Sequence, residues 1–263
     1  MAVSEYIKQL QSYEEYAFSW DELLKNNDAP EPTIRKELAR LADKNEILNL
    51  RQGFYLIMPP RYQSLGKLPI QLYIDKLFKY LNKDYYAGLY TAAAFYGASH
   101  QQIQQDYVIT VSPALRDINK NKTKLRFFKT GHWPKKNILQ KKSDAGLFNI
   151  SSPALTAIDL VHHQAKIGGI SRLLSNLEEL AEEITHEDME NLLSWYSNKS
   201  TLQRFGYLME EIEVQESIPQ LIYDRLKNER FYPVLLSPKK GQKAGSTGNR
   251  WKVDVNIKLE NDL

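Results

Sequence analysis

The chain has 263 residues, 42% of them hydrophobic and 25% charged, with no cysteine and a formal net charge of +3. Such a composition is globular, and no apolar run approaches the roughly 20 residues that span a bilayer. The missing cysteines exclude disulfides, thiolate catalysis and Cys-type zinc sites, and an N-terminus with Glu5, Glu14 and Glu15 is no signal peptide, so a cytoplasmic protein is expected.

The length allows a small module followed by a larger domain. Residues 18–58 read as two short helices, a tight turn and a β-hairpin, the layout of a winged helix-turn-helix. Ser19 and Glu22 form a capping-box pair at the start of a helix that carries Trp20, Leu23 and Leu24. Asn26, Asn27 and Asp28 break it, and Pro32 fits the first turn of a second helix that runs to about Lys44. Its Ile34, Leu38 and Leu41 recur at spacings of four and three and form a buried face. Thr33, Lys36, Glu37 and Arg40 lie roughly opposite, with Arg35 at the flank. Residues 47–50 and 54–57 are β-rich and separated by Arg51-Gln52-Gly53, a wing with a cation at its tip.

That order predicts DNA binding, with Thr33, Arg35, Lys36 and Arg40 in the major groove and Arg51 and Gln52 on phosphates or the minor groove. The plainer alternative is a helical module with a hairpin that touches protein only. Charge distribution bears on the choice. Residues 1–60 carry 7 Lys/Arg against 10 Asp/Glu, a net of −3, whereas residues 61–142 carry 15 against 4, a net of +11. Within that basic centre Arg116, Lys120, Lys122, Lys124 and Arg126 have only Asp117 as an acidic neighbour. Such density suits auxiliary phosphate contacts, which release counterions, although a lysine-rich solvated surface has the same composition. Because the first sixty residues are acidic overall, DNA binding needs local clustering of their cations or help from this second patch.

Pro59-Pro60 and residues 66–69 are read as a linker, which places a first domain at residues 1–64 and a second at 65–263. The second opens on helical patterns over residues 72–81 and 87–95. Residues 107–111 (YVITV), 124–129 (KLRFFK) and 147–150 then read as strands. Ser152-Pro153 begins a helix through His163, followed by helices over residues 170–180, 187–196 and 202–212. The chain closes on β signals at residues 232–236 and 251–259, joined by a Gly-rich basic loop, 239–248. The expected fold is α+β: an N-terminal winged helix-turn-helix followed by a mixed α+β C-terminal domain.

Several stretches are similar to a known family. They are Leu50-Arg51-Gln52-Gly53-Phe54-Tyr55, Tyr86-Ala87-Gly88-Leu89-Tyr90-Thr91-Ala92-Ala93, and Ser152-Pro153-Ala154-Leu155-Thr156-Ala157-Ile158-Asp159-Leu160. Further along come Arg204-Phe205-Gly206-Tyr207-Leu208-Met209-Glu210 and Arg250-Trp251-Lys252-Val253-Asp254-Val255-Asn256 with Glu260. In this order they resemble, over nearly the whole chain, the AbiEi antitoxins and transcriptional regulators of type IV toxin-antitoxin systems used in phage defence. The resemblance implies that the first domain binds inverted repeats in the promoter of its own operon and represses it. It also implies that the second supports neutralisation of a nucleotidyltransferase-like toxin encoded beside it, directly or indirectly.

Enzymatic readings find little support in the residues. Of the five histidines, His100, His132, His162, His163 and His186, none forms a pair at metal-ligand spacing backed by a carboxylate, and the side chains of adjacent His162 and His163 point apart on a helix. Asp254 and Lys258 lack the second acid of a restriction-type nuclease cluster, because Ile257 sits there. Gly168-Gly169 is better explained as a helix C-cap and turn than as a nucleotidyltransferase glycine pair, and residues 245–248 lack the ending of a phosphate-binding P-loop. The acidic run over residues 178–190 is a solvated helix face or a docking face for a basic partner. No catalytic residue, metal, cofactor or membrane contact is therefore expected. A regulator whose second domain senses a small ligand, with no cognate toxin, is the alternative, and a nucleic-acid-processing enzyme targeted by the winged module is a third.

Overall fold

The computed structural model describes residues 2–98, 104–213 and 217–259; His100 and Glu260 lie outside them. The chain divides into two compact units, one made of residues 1–86, 104–131 and 140–149, the other of residues 87–103, 132–139 and 150–263. The expected boundary at residue 64 falls within the first. Helices and strands are mixed along the chain, which makes the class α+β.

The first unit begins with a helix that the sequence reading passed over, α1 (Val3–Ser12), which buries Val3, Tyr6, Ile7 and Leu10 at spacings of three, one and three. There follow β1 (Ala17–Ser19), α2 (Trp20–Lys25), α3 (Glu31–Asp43), β2 (Ile47–Arg51) and β3 (Phe54–Ile57). The strands form an antiparallel sheet in the order β1-β3-β2. Ser19 and Glu22 make the expected capping box: the Glu22 amide donates to Ser19 Oγ at 3.2 Å and the Ser19 amide to Glu22 Oε2 at 2.7 Å. Pro32 lies in the first turn of α3, whose Ile34, Leu38 and Leu41 enter a core with Val3, Phe18 and Leu23.

The stretch read as a linker is built into this unit instead. Residues Pro60–Gln63 are a short helix, α4, Leu68 is fully buried, and Lys67 Nζ pairs at 2.7 Å with Oδ2 of the buried Asp106. Proline and glycine punctuate the chain here, but a leucine and an ion pair anchor it. A single 3-10 turn (Ile70–Leu72) then leads into α5 (Ile74–Leu81).

Six strands make a mixed sheet: β4 (Tyr85–Ala87), β5 (Asp106–Thr110), β6 (Ile118–Lys120), β7 (Thr123–Lys129), β8 (Ile138–Ser143) and β9 (Gly146–Ser151), in the order β6-β7-β5-β4-β9-β8. Strand β5 runs parallel to β7, and β6 is joined to β7 in an antiparallel hairpin whose turn uses Asn121 at φ 51°. The expected helix at 87–95 is shortened to α6 (Leu89–Phe95), since residues up to Ala87 belong to β4.

The second unit is mainly helical, with α6, α7 (Pro153–Ile167), α8 (Ile170–Glu183), α9 (His186–Leu193), α10 (Lys199–Glu211) and α11 (Ser217–Lys227). Ser152 caps α7 by accepting from the Leu155 amide, and every residue from Ala154 to Val161 is buried, so α7 is the central helix. Gly168 (φ 116°) and Gly169 (φ 86°) make the expected turn into α8.

The long terminal strand expected over residues 251–259 is not formed. Only β11 (Val253–Asp254) pairs, in parallel, with β10 (Val234–Leu235). The alternating apolar pattern loses to side chains that occupy the backbone: Asn249 accepts from the Val253 amide, Asn256 exchanges two bonds with Ser237, and Trp251 is fully buried.

Candidate nucleic-acid interface

On α3 the buried residues Ile34, Leu38 and Leu41 force Thr33, Lys36 and Arg40 onto one exposed strip. Among the described residues Lys36 and Arg40 have no ion-pair partner. Arg35, also exposed, is engaged: its guanidinium lies 4.3 Å from the centre of the Trp20 ring and 3.3 Å from Glu31 Oε2. Glu37, expected on the open face, is half-buried and serves another purpose. Its two carboxylate oxygens accept the Val3 and Ser4 amides at 3.3 and 3.2 Å, satisfying the free N–H groups at the start of α1. That removes the acid nearest Lys36 and Arg40 from the exposed strip.

The hairpin of β2 and β3 turns on Gln52 and Gly53, with Gly53 at φ 72°. Gln52 is exposed. Arg51 closes β2 opposite Phe54, half-buried, and its Nη1 is buried with no hydrogen-bond partner among the described residues. Helix α5 holds this tip. Tyr80 donates its hydroxyl proton to the Gln52 carbonyl at 3.0 Å, its ring lies 5.2 Å from that of Phe54, and the Trp20 amide donates to the Gly53 carbonyl at 2.8 Å. One turn earlier on α5, Lys76 bridges Glu15 (2.6 Å) and Glu22 (3.5 Å), the latter being the capping-box carboxylate of α2. Tyr80 and Lys76 were missed by sequence reasoning, and no local pattern announces contacts 28 and 54 residues away.

The basic centre is split by the β6–β7 hairpin. Arg116, Lys120, Lys122 and Lys124 are exposed. Lys122 lays its methylenes along Gly66, so close that a Cβ there would meet Lys122 Cδ at 3.1 Å. With Asn45 at the end of α3, Lys122 lines one shallow cleft of about 340 Å³. The hairpin tip is thus brought beside the α3–β2 turn. Arg126 points elsewhere: it is half-buried over the rings of Phe128 (5.4 Å) and Tyr107 (6.0 Å), with Nε 3.9 Å from Asp117 Oδ2.

The second unit spends its polar groups internally. Asn137 donates to Asp188 Oδ1 at 2.7 Å and accepts from Trp195 Nε1 at 2.8 Å, while Asp188 Oδ2 accepts the Ala154 amide at 2.8 Å. His162 Nδ1 is 3.1 Å from Thr201 Oγ1, and burial, then Lys166 and Arg204, lower its pKa. His163 is buried more deeply, and burial, then His162 and Lys166, push its pKa down to about 3. The His163 ring is a packed part of α7, whereas His162 lies on its exposed side. The Asp254 carboxylate accepts the Gly245 amide at 2.8 Å and so pins the glycine-rich loop. Among the described residues no group of three or more His, Asp and Glu is placed to hold a metal, and no helix is long and apolar enough to cross a membrane.

These features define a nonperiodic α+β chain with a basic, open face in its first unit and a helical second unit. Residues 86–211 match the family model of the AbiEi antitoxin C-terminal domain, and so are similar to the family that the sequence resembles. The match begins at β4 and ends at the last residue of α10, beyond the N-terminal elements. The crystal structure of RV2827C protein from Mycobacterium tuberculosis is similar, with a TM-score of 0.64 at 15% identity, covering 95% of this chain and 89% of that one. At that identity the likeness concerns the fold alone. No curated protein sequence matches the chain.

Proposed function

We propose that the protein is the antitoxin of a type IV toxin-antitoxin operon and represses its own promoter. In this reading residues 18–57 are a winged helix-turn-helix, with α3 as recognition helix and Gln52 and Arg51 at the wing, and the larger part of the chain from residue 65 counters a nucleotidyltransferase-like toxin encoded beside it. The protein acts in the cytoplasm as a binder, without cofactor or catalysis. The observation that carries the DNA reading is the strip of Thr33, Lys36 and Arg40, exposed, without an acidic partner among the described residues, and backed by a buried apolar face. A rigid helix presenting cations in this way suits a groove, where phosphate contacts position it and base edges select the site. Lys122, which lines a cleft with Asn45 just past α3, would then meet a neighbouring backbone, with Lys120 and Lys124 on the same hairpin and Arg116 and Arg126 as further candidate contacts.

Lys36→Ala with Arg40→Ala should weaken binding to the operon's own promoter by about 1–3 kcal/mol each where base edges are read. Unchanged gel-shift affinity of the folded double variant would sink the assignment. Lys120→Glu, Lys122→Glu and Lys124→Glu together should cost affinity equally on all sequences and flatten the slope of log K against log salt, by about 0.9 for each phosphate that the hairpin no longer neutralises. A parental slope would make the hairpin a solvated surface.

A second reading, a regulator responding to a small ligand, is favoured by one feature, a cleft of about 750 Å³ in the first unit lined by Phe54, Tyr80, Lys76 and Glu22. Co-expression with the toxin encoded by the neighbouring gene separates the two: the first reading requires restored growth, the second does not.

A further inference from the structure

Helix α10 sends Arg204 into a shallow cavity of about 450 Å³ in the second unit, on the side where the chain passes from β10 into the glycine-rich loop. One wall is cationic or polar, made by Arg204, Lys239, Lys243 and Gln242, and the other is apolar, made chiefly by Val234 and Pro238. No carboxylate lines the cavity among the described residues. That is unusual for a half-buried arginine. Guanidinium groups taken out of water are normally paired with an acid, and an unpaired one costs free energy.

Arg204 is held in place without being neutralised. Nε donates to the Leu235 carbonyl at 2.7 Å and Nη1 to the Ser200 carbonyl at 3.3 Å. A guanidinium has five N–H donors, so three remain for an acceptor. Burial is the cause that lowers its pKa, with no acid opposing it. Asp254, on β11, is committed to the Gly245 amide. Of the loop's exposed lysines, Lys239 and Lys243 line the cavity, and neither has an ion-pair partner among the described residues.

We propose that this cavity binds a phosphate group, with Arg204 as the fixed fork, Lys239 and Lys243 closing over the charge, and the Val234–Pro238 wall taking the sugar or base that carries it. Planar, bidentate donors match phosphate oxygens, and the cavity is of nucleotide size. The source is a free nucleotide or a phosphate of a nucleic-acid chain. This site lies in a different unit from α3 and stands whether or not the promoter reading does.

Isothermal titration of the full-length protein with inorganic pyrophosphate, ATP and a six-nucleotide single-stranded RNA tests it. Pyrophosphate should bind the parent, more weakly as salt rises. Lys239→Ala with Lys243→Ala, both on exposed side chains, should lose about tenfold in affinity or more while melting like the parent. ATP binding tighter than RNA identifies a free nucleotide as the source, and the reverse identifies a chain phosphate. Lys120→Ala, Lys122→Ala and Lys124→Ala together should leave pyrophosphate binding intact. Absence of pyrophosphate binding at millimolar concentration, equal binding by the Lys239/Lys243 variant, or loss confined to the β6–β7 variant would each overturn the proposal.

Discussion

The strip on α3 and the interior of the second unit treat polar side chains in opposite ways. On α3 the apolar positions are turned in, and Lys36 and Arg40 stand open in water with no ion-pair partner among the described residues. Around α7 polar groups are turned in and paired: Asn137 with Asp188 and Trp195, Ser151 with Thr156, Gln203 with the carbonyls of Tyr232 and Trp251. A buried polar group is costly unless satisfied, and once satisfied it fixes one arrangement of its neighbours. Open cations hold no structure and are available to a partner. The difference teaches that the two regions are built for different ends, a surface that awaits contact and an interior that tolerates little change.

The sharpest way to break this comparison is to overfill the second unit. A Cβ on Gly206 would lie 2.1 Å from Trp251 Cζ3, and Trp251 is fully buried with its indole N–H bonded to Glu210. Neither α10 nor the ring has room to move aside. Gly206→Val should therefore destabilise the protein by about 3 kcal/mol or more, lowering Tm by roughly 6–12 °C. Lys36→Ala on the open strip should stay within about 0.5 kcal/mol of the parent stability. Equal melting temperatures for the two variants would mean that the interior yields as readily as the surface.

A smaller effect comes from acid. The folded chain holds His163 near a pKa of about 3, below the usual histidine value near 6.5. Between those values the unfolded chain binds the proton and the folded chain does not, so stability is full above about pH 6.5 and falls as the pH drops toward 3. At pH 5 the loss from this one ring is about 2 kcal/mol. His163→Gln should remove that part of the acid sensitivity, so that the Tm difference between pH 7 and pH 5 narrows. An unchanged difference would show that the ring does not stay neutral.

How legible these regions were follows from the range of the interactions involved. The capping box of Ser19 and Glu22, the Ser152-Pro153 start of α7 and the turn at Gly168-Gly169 were readable, because each is settled within a few residues. The strip on α3 was readable for the same reason, since Ile34, Leu38 and Leu41 fix which side faces out. Strands β1, β6 and β8 were not, as three to six residues without a strong apolar alternation become strands only through distant partners. Helices α1 and α11 had readable apolar spacings that went unused. Glu37, Tyr80 and Arg204 could not be placed, because what each does depends on residues about 30 positions away. Arg51 shows the same limit, a cation expected at an open tip that folding leaves half-buried.

The finest test concerns that tip. Tyr80 is 40% exposed, and its hydroxyl donates to the Gln52 carbonyl across the only polar link described between α5 and the turn. Tyr80→Phe keeps the ring against Phe54 and deletes that single bond, so global stability should fall by about 1 kcal/mol or less. The local consequence is more telling than the global one. Gly53 sits at φ 72° with the Tyr80 oxygen 2.7 Å from where its Cβ would be, so the hydroxyl also limits how the turn can move. Hydrogen exchange at the amides of Gly53 and Phe54 should quicken by about fivefold, the equivalent of 1 kcal/mol in local opening, while the amides of α3 exchange as before. If the protein binds its promoter as proposed and the tip meets a phosphate, that affinity falls by a similar factor, because a looser hairpin must be ordered on binding. Exchange unchanged at the turn would show that the Trp20 amide and the Phe54 ring hold the hairpin without Tyr80.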